Sequence, residues 1–245
     1  GTMVGDIWGY VTKDIAKNQK EMDDHLASLP NGGQNALGNN WKAGDIMYTD
    51  VNGDGRIDQG SLTTEKHGDL VVIGNTTPRY SFGFDLGADW KGFDVRIFFQ
   101  GIAKRDYFQG RNVFFGASGG VFSSTAYVEH IDYYRESESH PLGQNLDSYY
   151  PRPLFSTTKN QNTQTRFLQD ASYIRLKNLQ LGYSLPQQIT RKVKIQKVRI
   201  YVSGENLWTK TNMSKIFDPE TIDGGYRGSI YPLFKKYSFG TSITF

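Results

Sequence analysis

Tyr80-Ser81-Phe82-Gly83-Phe84-Asp85-Leu86-Gly87-Ala88-Asp89-Trp90-Lys91-Gly92-Phe93-Asp94-Val95-Arg96-Ile97-Phe98-Phe99 is the stretch that decides the fold. From Tyr80 to Trp90 every second residue is apolar, and the residues between them are Ser, Gly or Asp. Strict alternation of this kind belongs to an extended strand with one greasy and one polar face. Lys91-Gly92 is a tight turn, and the chain returns with Phe93, Val95, Ile97 and Phe99 set against Asp94, Arg96 and Gln100. The same period recurs in Leu179, Leu181, Tyr183 and Leu185, in Val198, Ile200 and Val202, and in Tyr237, Phe239, Thr241, Ile243 and Phe245. Ile174 and Leu176 have the opposite parity to Leu179, which predicts a bulge or a change of surroundings near Asn178.

The connections alternate in length. Lys91-Gly92 and 186–196 are short, whereas 13–77, 104–165 and 209–235 are long. Soluble sandwiches rarely show that asymmetry, but a transmembrane β-barrel does, with short turns on the periplasmic side and long loops outside. Strands of about ten residues also suit a tilted membrane crossing. If the last strand runs inward, a first strand near 6–12 runs outward. Every long connection then falls outside and every short one inside. Within the long connections, Ile15, Met22, Leu26 and Leu29 lie on one helical face ended by Pro30, and 125–136 is expected to hold a second short helix.

Composition agrees and narrows the choice. Of the 245 residues 37% are hydrophobic, yet 14% are aromatic, with 27 Gly and no Cys. The absence of cysteine excludes a disulfide scaffold, thiolate zinc and a cysteine nucleophile. No run approaches about 18 apolar residues, so no helix is expected to cross a membrane. The net charge of +3 gives no footing for a nucleic-acid partner. The one basic cluster, Arg191-Lys192-Val193-Lys194-Ile195-Gln196-Lys197, reads as a charged inter-strand turn. The first residues hold no basic n-region, apolar h-region or cleavage site, which predicts either a cytoplasmic chain or, as the strand pattern favours, a mature or internal piece of something longer.

Several long motifs occur in order: Arg79-Tyr80-Ser81-Phe82-Gly83-Phe84, Trp90-Lys91-Gly92-Phe93-Asp94, Phe98-Phe99-Gln100-Gly101, and Phe167-Leu168-Gln169-Asp170-Ala171-Ser172-Tyr173-Ile174-Arg175-Leu176-Lys177-Asn178. Leu179-Gln180-Leu181-Gly182-Tyr183, Ser203-Gly204-Glu205-Asn206-Leu207 and Tyr237-Ser238-Phe239-Gly240 follow. The chain resembles, over nearly its whole length, the C-terminal part of the SusC/RagA-like TonB-dependent outer-membrane transporters of Bacteroidetes. That resemblance implies an all-β fold: the closing portion, 1–245, of a plugged barrel of about 22 strands, of which about six are countable here by their alternation. The plug, the TonB box and the other strands are expected elsewhere. It further implies the outer membrane as location, lipid around the barrel, TonB as energy source, a SusD-like surface lipoprotein as lid, and an oligosaccharide or peptide as cargo. Tyr237, Phe239, Ile243 and the aromatic end Phe245 would be the pattern read by the barrel-assembly machinery. No catalytic residues are expected.

Asp50-Val51-Asn52-Gly53-Asp54-Gly55-Arg56-Ile57-Asp58 matches the first nine positions of a calcium loop. Oxygen donors from Asp50, Asn52, Asp54, the Arg56 carbonyl and Asp58 could converge on one Ca2+, with Gly55 at the sharp turn. Position twelve is Ser61 instead of a bidentate glutamate, which predicts weak affinity. The alternative is a turn held by its own side-chain-to-backbone bonds. Gly116-Ala117-Ser118-Gly119-Gly120 has the letter pattern of a hydrolase elbow but lacks the strand and helix that an elbow needs. His25, His67, His130 and His140 lack metal-ligand spacing and read as solvated loop residues. Tyr133, Tyr134, Tyr149, Tyr150, Phe155, Tyr226 and Tyr231 could stack on sugars, or else pack the loops together. A second reading of the whole chain is a soluble calcium-containing β-sandwich that binds carbohydrate, with its aromatic faces buried between two sheets.

Overall fold

In the computed structural model, residues 1–110, 112–117, 124, 126–155, 157–223 and 231–245 are described. Eleven strands occur among them: β1 (Asp6–Gly9), β2 (Thr12–Ile15), β3 (Ile46–Tyr48), β4 (Val71–Asn75), β5 (Ser81–Trp90), β6 (Phe93–Ile102), β7 (Asp106–Tyr107), β8 (Gln169–Asp170), β9 (Tyr173–Ser184), β10 (Lys197–Thr211) and β11 (Lys236–Thr244). The long ones form one antiparallel sheet in the order β11-β10-β9-β6-β5. Each long strand therefore lies beside its predecessor among the long strands, as a meander does.

The alternating stretch at 80–99 forms the expected hairpin, with Ser81 opposite Ile102 and Trp90 opposite Phe93. Lys91 at φ 47° and Gly92 at φ 89° supply two consecutive left-handed residues, the type I′ geometry whose twist matches the flanking strands. Ile102 stands opposite Tyr173, and Tyr173 opposite Thr211. The long connections therefore leave from one end of the sheet and the short ones from the other, as the loop lengths predict. The bulge is present as well. Asn178 faces Phe98 and Leu176 faces Phe99, so Lys177 is left without a cross-strand partner there. On the other side the register jumps from Glu205–Asn178 to Trp208–Leu176.

Three expectations need correction. The strand at 6–12 does not join the sheet, which has five members where about six were counted by alternation. β1 has only four residues and pairs with β4 in a separate ladder, while Gly9 sits against the Thr163 carbonyl too closely for any side chain. In that ladder Ile7 and Gly9 are buried, while Asp6 and Trp8 are half-buried. The helix starts later than Asp14: Ile15 pairs with Ile46 in β2–β3, and α1 (Gln19–Ala27) begins only after Asn18, whose Oδ1 accepts from the Glu21 amide at 2.9 Å, a side-chain N-cap. Of the second helix, 128–131 forms a single 3-10 turn; Thr125 lies outside the described residues.

The hydrophobic core is not on the sheet. It lies in the connections, where Ile15, Met22, Ile46, Tyr48, Ile57, Phe114 and Phe167 are fully enclosed. By contrast Phe84, Leu86, Trp90, Phe93, Leu181, Tyr237 and Phe239, on the apolar face of the sheet, are exposed. The sandwich reading requires a second sheet over this face. Among the described residues the other sheets have two strands each, and the face is bare. That reading fails here.

Candidate functional site

The two faces of the sheet differ in chemistry. Register places Asp85, Asp94, Arg96, Gln180, Arg199 and Glu205 together on the face opposite the apolar one. Arg96 donates to both oxygens of Asp85 at 3.1 and 2.6 Å. Arg199 donates to Asp94 at 2.8 and 2.5 Å, reaching from β10 to β6 across the intervening β9. Gly182 makes that crossing possible: a Cβ there would lie 2.3 Å from the Asp94 carboxylate and 2.5 Å from the guanidinium.

Nearer the loops, Arg175 is buried on the same polar face. It donates to Thr209 at 2.8 Å, Glu220 at 2.9 Å and Asp218 at 2.7 Å, and Lys177 adds a bond to Glu220 at 2.8 Å. The bulge at Lys177 explains the opposite parity of Ile174 and Leu176. By consuming one residue it keeps these two side chains on the apolar face and turns Arg175 to the polar one.

Asp45 stands at the centre of the loop layer and is fully buried. It accepts from Arg152 at 2.7 and 2.9 Å, from Asn160 at 2.9 Å and from the Lys42 amide at 2.8 Å, and pairs with Lys159 at 2.7 Å. Burial pushes its pKa up, but Arg152, Lys159, Asn160 and the Lys42 amide together outweigh burial and hold it below the ordinary carboxylate range. Two long connections, 13–77 and 104–165, are thus tied at one anion. Phe114 and Phe167 then join the second of these to the 209–235 connection through ring contacts with Phe217, Tyr149 and Tyr150.

The aromatic residues singled out from the sequence divide accordingly. Tyr134 and Tyr150 are buried, Phe155 and Tyr231 are exposed, and Tyr226 lies outside the described residues. Most of these rings serve the layer itself. Two histidines also depart from expectation. His25 is buried beneath α1 with Nε2 3.2 Å from Gln34 Oε1, and His130 is buried with Nε2 2.8 Å from the Phe114 carbonyl. Burial lowers the pKa of both, so each is a neutral packing group. Ser118, Gly119 and Gly120 of the elbow-like stretch lie outside the described residues.

In the 50–58 loop, Asp50 accepts from the Gly53 and Gly55 amides at 2.7 and 2.8 Å, and Asn52 and Asp54 accept from amides two residues on. Arg56 Nε lies 3.3 Å from Asp54 and 2.9 Å from Asp58. The backbone has the turn a cation loop needs, with Gly55 at φ 79°, but the guanidinium stands among the carboxylates. Among the described residues no three His, Asp or Glu side chains are grouped to hold a metal. Asp69, which sequence spacing could not connect with this loop, is fully buried beside it and accepts from the Val51 and Asp58 amides at 2.8 Å each.

Among the described residues, two hollows open in the loop layer. One, of about 390 Å³, is apolar and includes Phe115, Tyr127, Ile131, Leu154 and Phe155. The other, of about 960 Å³, runs between the 128–135 and 212–215 segments. Its polar groups are largely committed to one another, Glu129 to Ser214 and Lys215, and Asp132 to Asn145.

No family model matches the chain. Over its entire length, however, it is 28% identical to TonB-dependent receptor P3 of Formosa agariphila. The chain is a relative of the TonB-dependent receptors. Receptor P26 of the same organism is 27% identical over 82% of the chain. The chain spans about a fifth of these receptors, 22% and 20% of their lengths. A solved structure of the RagAB peptide transporter superposes on 98% of the chain with a TM-score of 0.61 at 22% identity, over 23% of the matched chain. The 'open-open' state of the RagAB peptide importer gives 0.59. At that identity the likeness is one of fold, and it includes the loop layer as well as the sheet.

Proposed function

We propose that this chain is the C-terminal barrel segment of an outer-membrane TonB-dependent transporter, closing with the other strands of the same protein around a plug. One observation carries the reading: a five-stranded sheet with a bare apolar face, a face of ion pairs behind it, and every long connection at one end. A bare aromatic face of this size is costly in water and stable against lipid, whereas charges are tolerated on the lumen side. The connections 13–77, 104–165 and 209–235 are then extracellular. Tyr237, Phe239, Ile243 and Phe245 lie at the lipid as the assembly pattern, and energy comes from TonB through the plug. Cargo is an oligosaccharide or peptide taken with a SusD-like lipoprotein; likeness of fold to a peptide importer supports the peptide. No catalytic role is assigned.

The test is cysteine labelling in outer-membrane vesicles, with all other cysteines of the protein removed. Leu181→Cys should react with a membrane-permeant maleimide and resist a charged, water-soluble one, while Gln180→Cys on the opposite face should not resist it. Ready labelling of Leu181→Cys by the charged reagent overturns the barrel.

Calcium in the 50–58 loop is proposed as a weak external brace, held by Asp50, Asn52, Asp54, the Arg56 carbonyl and Asp58. The Arg56 side chain must leave its carboxylates first. Arg56→Ala should therefore raise calcium affinity in a terbium-displacement titration. An equal or lower affinity of the variant removes calcium from the account.

A further inference from the structure

We infer that residues 217–223 form a constriction inside the barrel mouth, clamped to the lumen wall by Arg175 and Lys177, and that its width limits the cargo. The inference rests on the barrel reading, because it uses the apolar face to say which side is out. Thr209 stands opposite Arg175, and Gln100 stands opposite it on the other side. That row lies on the face of Asp85, Arg96 and Arg199, behind the exposed aromatics. Asp218 and Glu220 bind Arg175 and Lys177 on that face, so the segment carrying them crosses the lumen side of the wall instead of projecting away from it.

The segment is fixed there by more than charge. Phe217 and Ile222 are buried in the loop core, the Tyr107 hydroxyl donates to the Ile222 carbonyl at 3.2 Å, and buried Arg105 pairs with Asp223. Asp218 also caps its own turn, accepting from the Glu220 amide at 2.9 Å, and receives the Leu233 amide at 3.1 Å. A segment with anchors on both the wall and the loop core occupies space that a freely projecting loop would leave open. Ion pairing largely neutralises its acidic groups, so width rather than charge is what it controls.

The experiment labels the whole transporter in intact cells with a small charged maleimide and with a maleimide on a long polyethylene glycol chain. Glu138→Cys, on an exposed part of the 104–165 connection, should take both. Thr221→Cys should take the small reagent and exclude the large one. Adding Arg175→Gln, or the milder Glu220→Gln should the first not assemble, should admit the large reagent at Thr221→Cys. Equal labelling of Thr221→Cys and Glu138→Cys by the large reagent overturns the constriction. Continued exclusion after the clamp is broken in an assembled variant overturns the part given to Arg175 and Lys177. Failure of the barrel itself is seen separately, at Leu181→Cys.

Discussion

Asp45→Ala is expected to destabilise the loop layer by about 3–5 kcal/mol, the cost of breaking a buried ion pair from one side. The variant removes the anion and leaves Lys159, itself almost fully buried, and Arg152 facing each other without it. The Ile46 and Met47 amides, on the strand that follows Asp45, should exchange far faster in the variant while amides of β6 and β9 do not. Unchanged exchange at Ile46 would refute the role given to Asp45. The pH dependence has a defined sign. The folded pKa is lowered from 3.8, so the contribution of Asp45 is complete above that ordinary value. It is lost as pH falls through the lowered one. The gap between parent and variant should therefore close only in strong acid.

Phe167→Ala is expected to cost about 3–5 kcal/mol, as other buried aromatic truncations do. The ring is fully buried and meets Phe115 at 4.9 Å, Tyr149 at 5.5 Å, Phe114 at 5.9 Å and Tyr150 at 6.3 Å between centroids. Four partners around one ring leave little room for collapse into the hole. Since these rings join the 104–165 connection to Phe217, protease cleavage in both 104–165 and 209–235 should rise together. Cleavage confined to one of them would show that the two connections are independently stable.

The long strands were legible because period two is imposed residue by residue. Tyr80–Trp90 could not alternate as it does unless its two sides met different surroundings, and the parity change after Leu176 announced the bulge at Lys177. The loop layer was far less legible. Asp45 is separated in sequence from Arg152 and Lys159 by more than a hundred positions, and nothing local marks any of them as partners. His25 and His130 fall in connections, which are usually surface, and sequence alone therefore places them in solvent. Here the connections build the core, so the usual inference fails. The same holds for β1, where a short apolar run says that the chain is extended, not which neighbour it will take.

The bulge at Lys177 divides β9 into two halves that run out of phase. Within either half a side chain can be exchanged without disturbing its neighbours, and Lys177 itself is the one residue whose loss would leave every face as it stands. Deleting Lys177 would restore simple alternation with Leu176 and Arg175 on the faces they now hold, whereas losing any other residue of β9 while the bulge stays would turn over every side chain on one side of the loss. The strand thus reads like text with a fixed frame, in which substitution is local, an omission at the bulge is silent, and an omission anywhere else rewrites everything on one side of it.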